Sequence, residues 1–249
     1  MSEKERLITL PKPKVLLAEA QLDMIHADHM NYMIKFMADF FIAKERPFKL
    51  HFFNVTGEQT ARARNRIVDY ALKTKMDYLF FVDTDMVVTY EQLVSLFKTM
   101  QEKDLDVLSG LYYRRKGIPL PQIMIKNKQN QDWHTWDDYP KNKLVQVDGI
   151  GLGIALINMR VFKKHLKKPW FDHEIYTDVV PTEDLSFCRK LGRKNVPIHL
   201  DTGVIAGHIG DHLVDEEFYN AFHKMNPDYM PKMHEVMISK GESNPEVTE

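Results

Sequence analysis

The run YLFFVDTDMVV at residues 78–88 constrains the chain more than any other stretch, because it sets two carboxylates directly after five apolar or aromatic residues. Those five residues, with β-branched Val87 and Val88 close behind, predict a buried strand over 78–82. An unpaired carboxylate is expensive to bury, so Asp83 and Asp85 need water at a strand end, a basic side chain or a divalent metal ion. In extended backbone they project to one side and Thr84 to the other. A strand ending near Val82 lets both meet one ion at the carboxyl edge of a sheet, where α/β proteins commonly place ligands. An acidic strand-end turn or a helix cap accounts for the same two residues without any ion.

Around this run, strand-like and helical segments alternate. Strands are expected at 15–18, 48–55, 107–113, 144–147, 154–157 and 197–200, and helices at 31–42, 59–73, 90–100, 159–165 and 182–191. Thr89 is placed to cap the third of these helices. Asp201, Thr202 and Gly203 read as a turn, and the polar, aromatic stretch 114–142 as a hairpin or an ordered substrate loop. The alternation predicts an α/β fold with a mixed, mostly parallel central sheet flanked by helices. A length of 249 residues suits one such domain. Its expected limits are 15–238, with an N-terminal extension at 1–14 and a flexible tail at 239–249.

Composition narrows the partners. A net charge of −1, from 34 basic and 35 acidic residues, gives no global field to hold a nucleic acid. Cys188 is the only cysteine, which excludes an intrachain disulfide and a thiolate metal cluster and fits a reducing, cytoplasmic setting. No segment approaches about twenty uninterrupted apolar residues, the length a membrane-spanning helix needs.

Further residues carry candidate chemistry. His208, in GHIG, can complete a metal site with Asp83 and Asp85 through an imidazole nitrogen, and Mg²⁺ or Mn²⁺ suits such a set beside phosphate oxygens. Gly149, Gly151 and Gly153 alternate in VDGIGLGIALI, leaving one side of an extended segment open to a sugar; a bulged or tightly packed strand is the other reading. Tyr113 and Arg114, with Tyr112 and Arg115, offer stacking and phosphate or acceptor contacts. Trp133 and Trp136 offer flat carbohydrate surfaces, or ordinary loop packing. Lys163, Lys164, Lys167 and Lys168 form a basic surface patch. Glu183 and Asp184 follow Thr182 where acids stabilise a helix start.

In their order, FVDTD, GIGLG, TED and GHIG resemble the nucleotide-sugar-dependent glycosyltransferases of the GT-A fold, especially the family-2-like group, over about residues 15–212. The resemblance implies a nucleotide-binding part at about 15–113 and an acceptor and catalytic part at about 114–212. It implies that Asp83, Thr84 and Asp85 meet the nucleotide diphosphate and its Mn²⁺ or Mg²⁺ ion, with His208 as the later ligand. Arg62, Asn65 and Arg66 become candidates for base, ribose or phosphate contacts, while Arg64 reads as a solvated basic face. Asp184 becomes the base that deprotonates an acceptor hydroxyl, with Glu183 orienting acceptor or sugar.

The function this implies is transfer of a sugar from a nucleoside-diphosphate sugar, a UDP-sugar above all, to the hydroxyl of a carbohydrate or glycoconjugate, with inversion. A retaining transferase, a nucleotidyltransferase and a noncatalytic nucleotide-sugar-binding protein are the alternatives.

Overall fold

The computed structural model describes residues 11–22, 25–126, 133–173, 182–210 and 213–227. The expected tail at 239–249 and most of the extension at 1–14 lie outside them. In chain order the strands and helices are β1 (Lys14–Gln21), α1 (Ala27–Ile42), β2 (Lys49–Thr56), α2 (Thr60–Lys73), β3 (Tyr78–Val82), β4 (Met86–Val87) and α3 (Tyr90–Glu102). Then come β5 (Val107–Leu111), β6 (Ile123–Lys126), β7 (Trp133–Thr135), β8 (Leu144–Val147), β9 (Gly149–Ile150) and β10 (Ile154–Asn158). The last are α4 (Glu183–Arg193), β11 (Ile198–Ile205), β12 (Gly207–Ile209), β13 (Leu213–Val214) and α5 (Glu216–Met225).

A seven-stranded sheet in the order β2-β1-β3-β10-β5-β11-β8 forms the centre. Strands β2, β1, β3, β5 and β11 run one way; β10 and β8 run the other. The period of two in β3 divides the core. Leu79 and Phe81 face Ile67 and Val68 of α2 and Phe187 of α4, whereas Phe80 and Val82 face Phe36 of α1 and Leu93 and Phe97 of α3. Both faces are therefore covered by helices, as a largely parallel sheet requires.

Thr89 caps α3 in a reciprocal box: its hydroxyl accepts from Gln92 N at 3.3 Å, and the Gln92 side chain accepts from Thr89 N at 2.9 Å.

Three expectations need correction. The strand expected at 107–113 stops at Leu111, and Tyr113 makes only an isolated bridge with Pro121. The helix expected at 159–165 is a π-helical turn, Val161–His165. The turn expected at Asp201, Thr202 and Gly203 lies inside β11, where a register shift between Asp201 and Ile205 absorbs it. The Asp201 side chain accepts from Gly203 N at 2.9 Å and stabilises the irregularity locally. In the polar middle, β6 pairs with β7 and β9 as a small second sheet. No helix among the described residues is long and apolar enough to cross a membrane.

Candidate active site at the carboxyl edge of β3

The acidic residues sit just past the last residue of β3. Asp83 N donates to the Gly153 carbonyl at 3.0 Å, and Met86 N donates back to the Asp83 carbonyl at 3.0 Å, so residues 83–86 form a turn. Strand β4 then pairs with β12, placing His208 opposite Met86, and Ile209 N donates to the Asp85 carbonyl at 2.7 Å. This pairing carries GHIG back to DTD across the chain. His208 Nε2 lies 3.5 Å from Asp85 Oδ1. Its Nδ1 lies 2.8 Å from the Tyr113 carbonyl oxygen, which can only accept, so Nδ1 holds a hydrogen and Nε2 is the ring nitrogen that faces Asp85. Arg115 contacts the other Asp85 oxygen at 3.0 Å. Burial would raise the Asp85 pKa, but the His208 hydrogen bond and the charges of His208 and Arg115 leave it below the usual carboxylate value.

Asp83 turns elsewhere. Its Oδ1 accepts from Arg64 at 2.9 Å, and the same guanidinium donates to Glu183 Oε1 at 2.6 Å. Arg64 is 2% exposed and lies over the Phe81 ring at 5.6 Å. Its Nε is buried without a hydrogen-bond partner among the described residues. Burial would lower its pKa, yet the charges of Asp83, Glu183 and Asp184 hold it well above the ordinary arginine value. The reading of Arg64 as a solvated face is therefore corrected: it is the buried clamp between the DTD turn and the start of α4. Spacing carried the signal, since Ala61, Arg64, Ile67, Val68 and Ala71 share the buried face of α2.

Among the described residues, no group of three or more His, Cys, Asp or Glu is disposed to hold a metal ion. The expected trio thus divides: Asp85 and His208 face one another, and Asp83 is taken by Arg64.

Asp184 begins α4 beside Glu183. Its Oδ1 accepts from the Thr182 hydroxyl and from Leu185 N, the latter at 2.8 Å. Its Oδ2 points toward Gly151, 3.7 Å from where a Cβ would stand there. The same Cβ would lie 1.9 Å from the Tyr112 hydroxyl. Tyr112 is buried and its hydroxyl accepts from Gly153 N at 3.2 Å. Burial, with Asp83 and Asp184 adding to it, pushes this phenol well above its ordinary pKa.

The fold is shared with A197 from STIV. The crystal structure of that protein matches with a TM-score of 0.54 at 18% identity, covering 81% of this chain and 93% of that one. A looser likeness, with a TM-score of 0.49 and 12% identity over 82% of this chain and 44% of the other, is to the crystal structure of GalNAc-T7 with UDP, GalNAc and Mn²⁺. No protein-family model and no curated protein matches the sequence.

The remaining candidates spread over several environments. The open face of the glycine strap holds the chain's own rings: a Cβ at Gly153 would come 3.0 Å from Tyr112, and one at Gly149 would come 2.1 Å from Trp133. The Trp133 ring has the cationic ends of Lys126 and Arg189 over it, at 5.0 and 5.5 Å. Trp136 and Tyr113 are core residues, the latter stacked on Tyr219 and sharing a hydrogen bond with Tyr139. Arg114 is exposed, with its backbone N–H on the Leu120 carbonyl. Arg62 and Arg66 are exposed and pair with Glu58. Asn65 accepts from Trp170 N and Phe171 N and donates to the Ala61 and Phe171 carbonyls, so it fastens one loop to α2. Thr84 is half-buried in the turn itself.

Proposed function

We propose that the chain is a metal-dependent glycosyltransferase that moves a sugar from a UDP-sugar to a hydroxyl of a carbohydrate or glycoconjugate acceptor, inverting the anomeric carbon. One observation carries this reading: at a single sheet edge, Arg64 ties the DTD turn to the start of α4, and Tyr112 links the two acid sites, its hydroxyl sharing the Gly151 position with Asp184 Oδ2 and its ring packing edge-on against His208 at 5.5 Å. Asp85 and His208 fit Mn²⁺ or Mg²⁺, because the Tyr113 carbonyl fixes the His208 hydrogen on Nδ1 and leaves Nε2 for an ion. When bound, that ion supplies positive charge against a nucleoside diphosphate.

The chain's own residues do the rest. Thr182 and Leu185 N hold Asp184 Oδ1, which fixes the carboxylate and leaves Oδ2 to take the acceptor proton. As the acceptor oxygen bonds to C1, the bond from C1 to the diphosphate oxygen breaks and the leaving group keeps the electron pair. Arg115, with 39% of its side chain exposed, offers a second positive group on the diphosphate side. Arg64 positions Glu183 and Asp83 without leaving the core.

A noncatalytic nucleotide-sugar binder is the second reading, favoured because both aspartates already hold a guanidinium. Mass-resolved turnover with a nucleotide-sugar panel, with and without Mn²⁺ or Mg²⁺ and with mixed acceptors, separates the two. Transfer should require metal, and Asp184→Asn should lower it by about 10²–10⁴-fold while donor binding survives. Metal-dependent donor binding with no transfer to any acceptor would select the binder. NMR of the product linkage tests inversion, and a retained configuration would remove Asp184 from the role of acceptor base.

A further inference from the structure

A cavity of ≈ 400 Å³ opens between α1 and the strands β1 and β2, within the size range of small-molecule sites. Its walls are almost wholly carbon, from Met30, Met33, Ile34, Met37 and Phe52, and the Asn54 amide at the rim of β2 donates to Gln21 Oε1 at 3.5 Å. Ile34 is 61% exposed and Phe52 50%, so much of this apolar lining faces water. At the inner end stands Glu19, 2% exposed, hydrogen-bonded through Oε1 to Nε2 of the equally buried His29 at 3.2 Å.

Counting hydrogens fixes what the cavity presents. His29 Nδ1 lies 2.7 Å from the Met86 carbonyl oxygen, which can only accept, so Nδ1 carries a hydrogen. One more hydrogen lies between Nε2 and Glu19 Oε1, whether it belongs to an imidazolium or to a carboxylic acid. Both arrangements leave the pair without net charge, and both leave Glu19 Oε2 with lone pairs and no partner among the described residues. A carboxylate oxygen that lines an apolar cavity favours a ligand that brings one neutral donor. An ammonium would place an uncompensated charge there, and a carboxylate would set acceptor against acceptor.

We propose that this cavity binds an aliphatic alcohol, its hydroxyl donating to Glu19 Oε2 and its chain lying along the methionines of α1. The flexible thioethers suit a chain of irregular shape. Neither Asp85 nor His208 lines the cavity, although His29 bonds the Met86 carbonyl next to Asp85, and the proposal does not depend on sugar transfer.

The full chain, labelled with ¹³C at its methionine methyls, is titrated with 1-octanol, sodium octanoate and octylamine at neutral pH. Octanol should shift the Met30, Met33 and Met37 signals saturably, and octanoate and octylamine should each bind at least about tenfold more weakly, the equivalent of one lost or opposed hydrogen bond. Ile34→Glu, at an exposed wall position that leaves folding intact, should weaken octanol about tenfold. Octanol shifts confined to other methionines, equal affinity for octanoate, or an unchanged affinity in Ile34→Glu would each overturn the proposal.

Discussion

Arg64 is the residue on which the geometry of the site turns, because a buried guanidinium holds Asp83 and Glu183 at once. Removing the guanidinium leaves Glu183, 13% exposed, uncompensated in a poorly solvated place, while Asp83 at 34% can still meet water. Arg64→Met should therefore lower unfolding free energy by about 3 kcal/mol in urea denaturation, and adding Glu183→Gln should recover part of the loss. Gly151 makes a second residue-scale prediction. A methyl group there would stand 1.9 Å from the Tyr112 hydroxyl, and Gly151→Ala should cost about 1–3 kcal/mol by overpacking. The loss should be smaller in a Tyr112→Phe background, where the obstructing oxygen is gone; equal losses in both backgrounds would show that the hydroxyl is not the obstacle.

At the scale of elements, β3, β8 and the helices over Thr60–Lys73 and Glu183–Arg193 stand close to where apolar period and capping residues place them. What escaped is the side-chain environment. The charge of Arg64 points to solvent although its spacing puts it with Ala61 and Ile67, and alternating glycines tell which face is empty but not that Tyr112 and Trp133 enter it. Likewise Asp83, Asp85 and His208 could be grouped by motif order, but only the β4–β12 pairing shows Asp85 facing His208 while Asp83 faces Arg64. His199 in β11 gives a test at this scale. Burial lowers its pKa below 6.5, with Asp106 pulling the other way. The folded state then binds fewer protons than the unfolded one, so this residue's contribution is present above pH 6.5 and is lost as pH falls through the folded value. His199 Nδ1 is also buried without a partner among the described residues. His199→Leu should thus raise Tm more at pH 5.5 than at pH 7.5, and an equal change at both would remove the titration from the account.

Over the whole molecule, two apolar cores lie on opposite faces of one sheet, and Cys188 is buried in the one that includes α2 and α4. Burial pushes its thiol up to about 12. A thiolate is the reactive form, so alkylation by iodoacetamide at pH 8 should need global opening and run on the order of a thousandfold or more slower in buffer than in denaturing urea. Alkylation at comparable rates in both would mean that this core opens locally. The order of the central sheet sets a further condition, on synthesis. Strand β10 occupies the slot between β3 and β5, although both precede it in the chain. A growing polypeptide that has emerged through Leu111 has made both walls of that slot and nothing to fill it. Until residue 158 clears the ribosome, two apolar strand edges stay unpaired, and a pause in translation across that interval would leave the nascent chain open to any other strand or chaperone within reach.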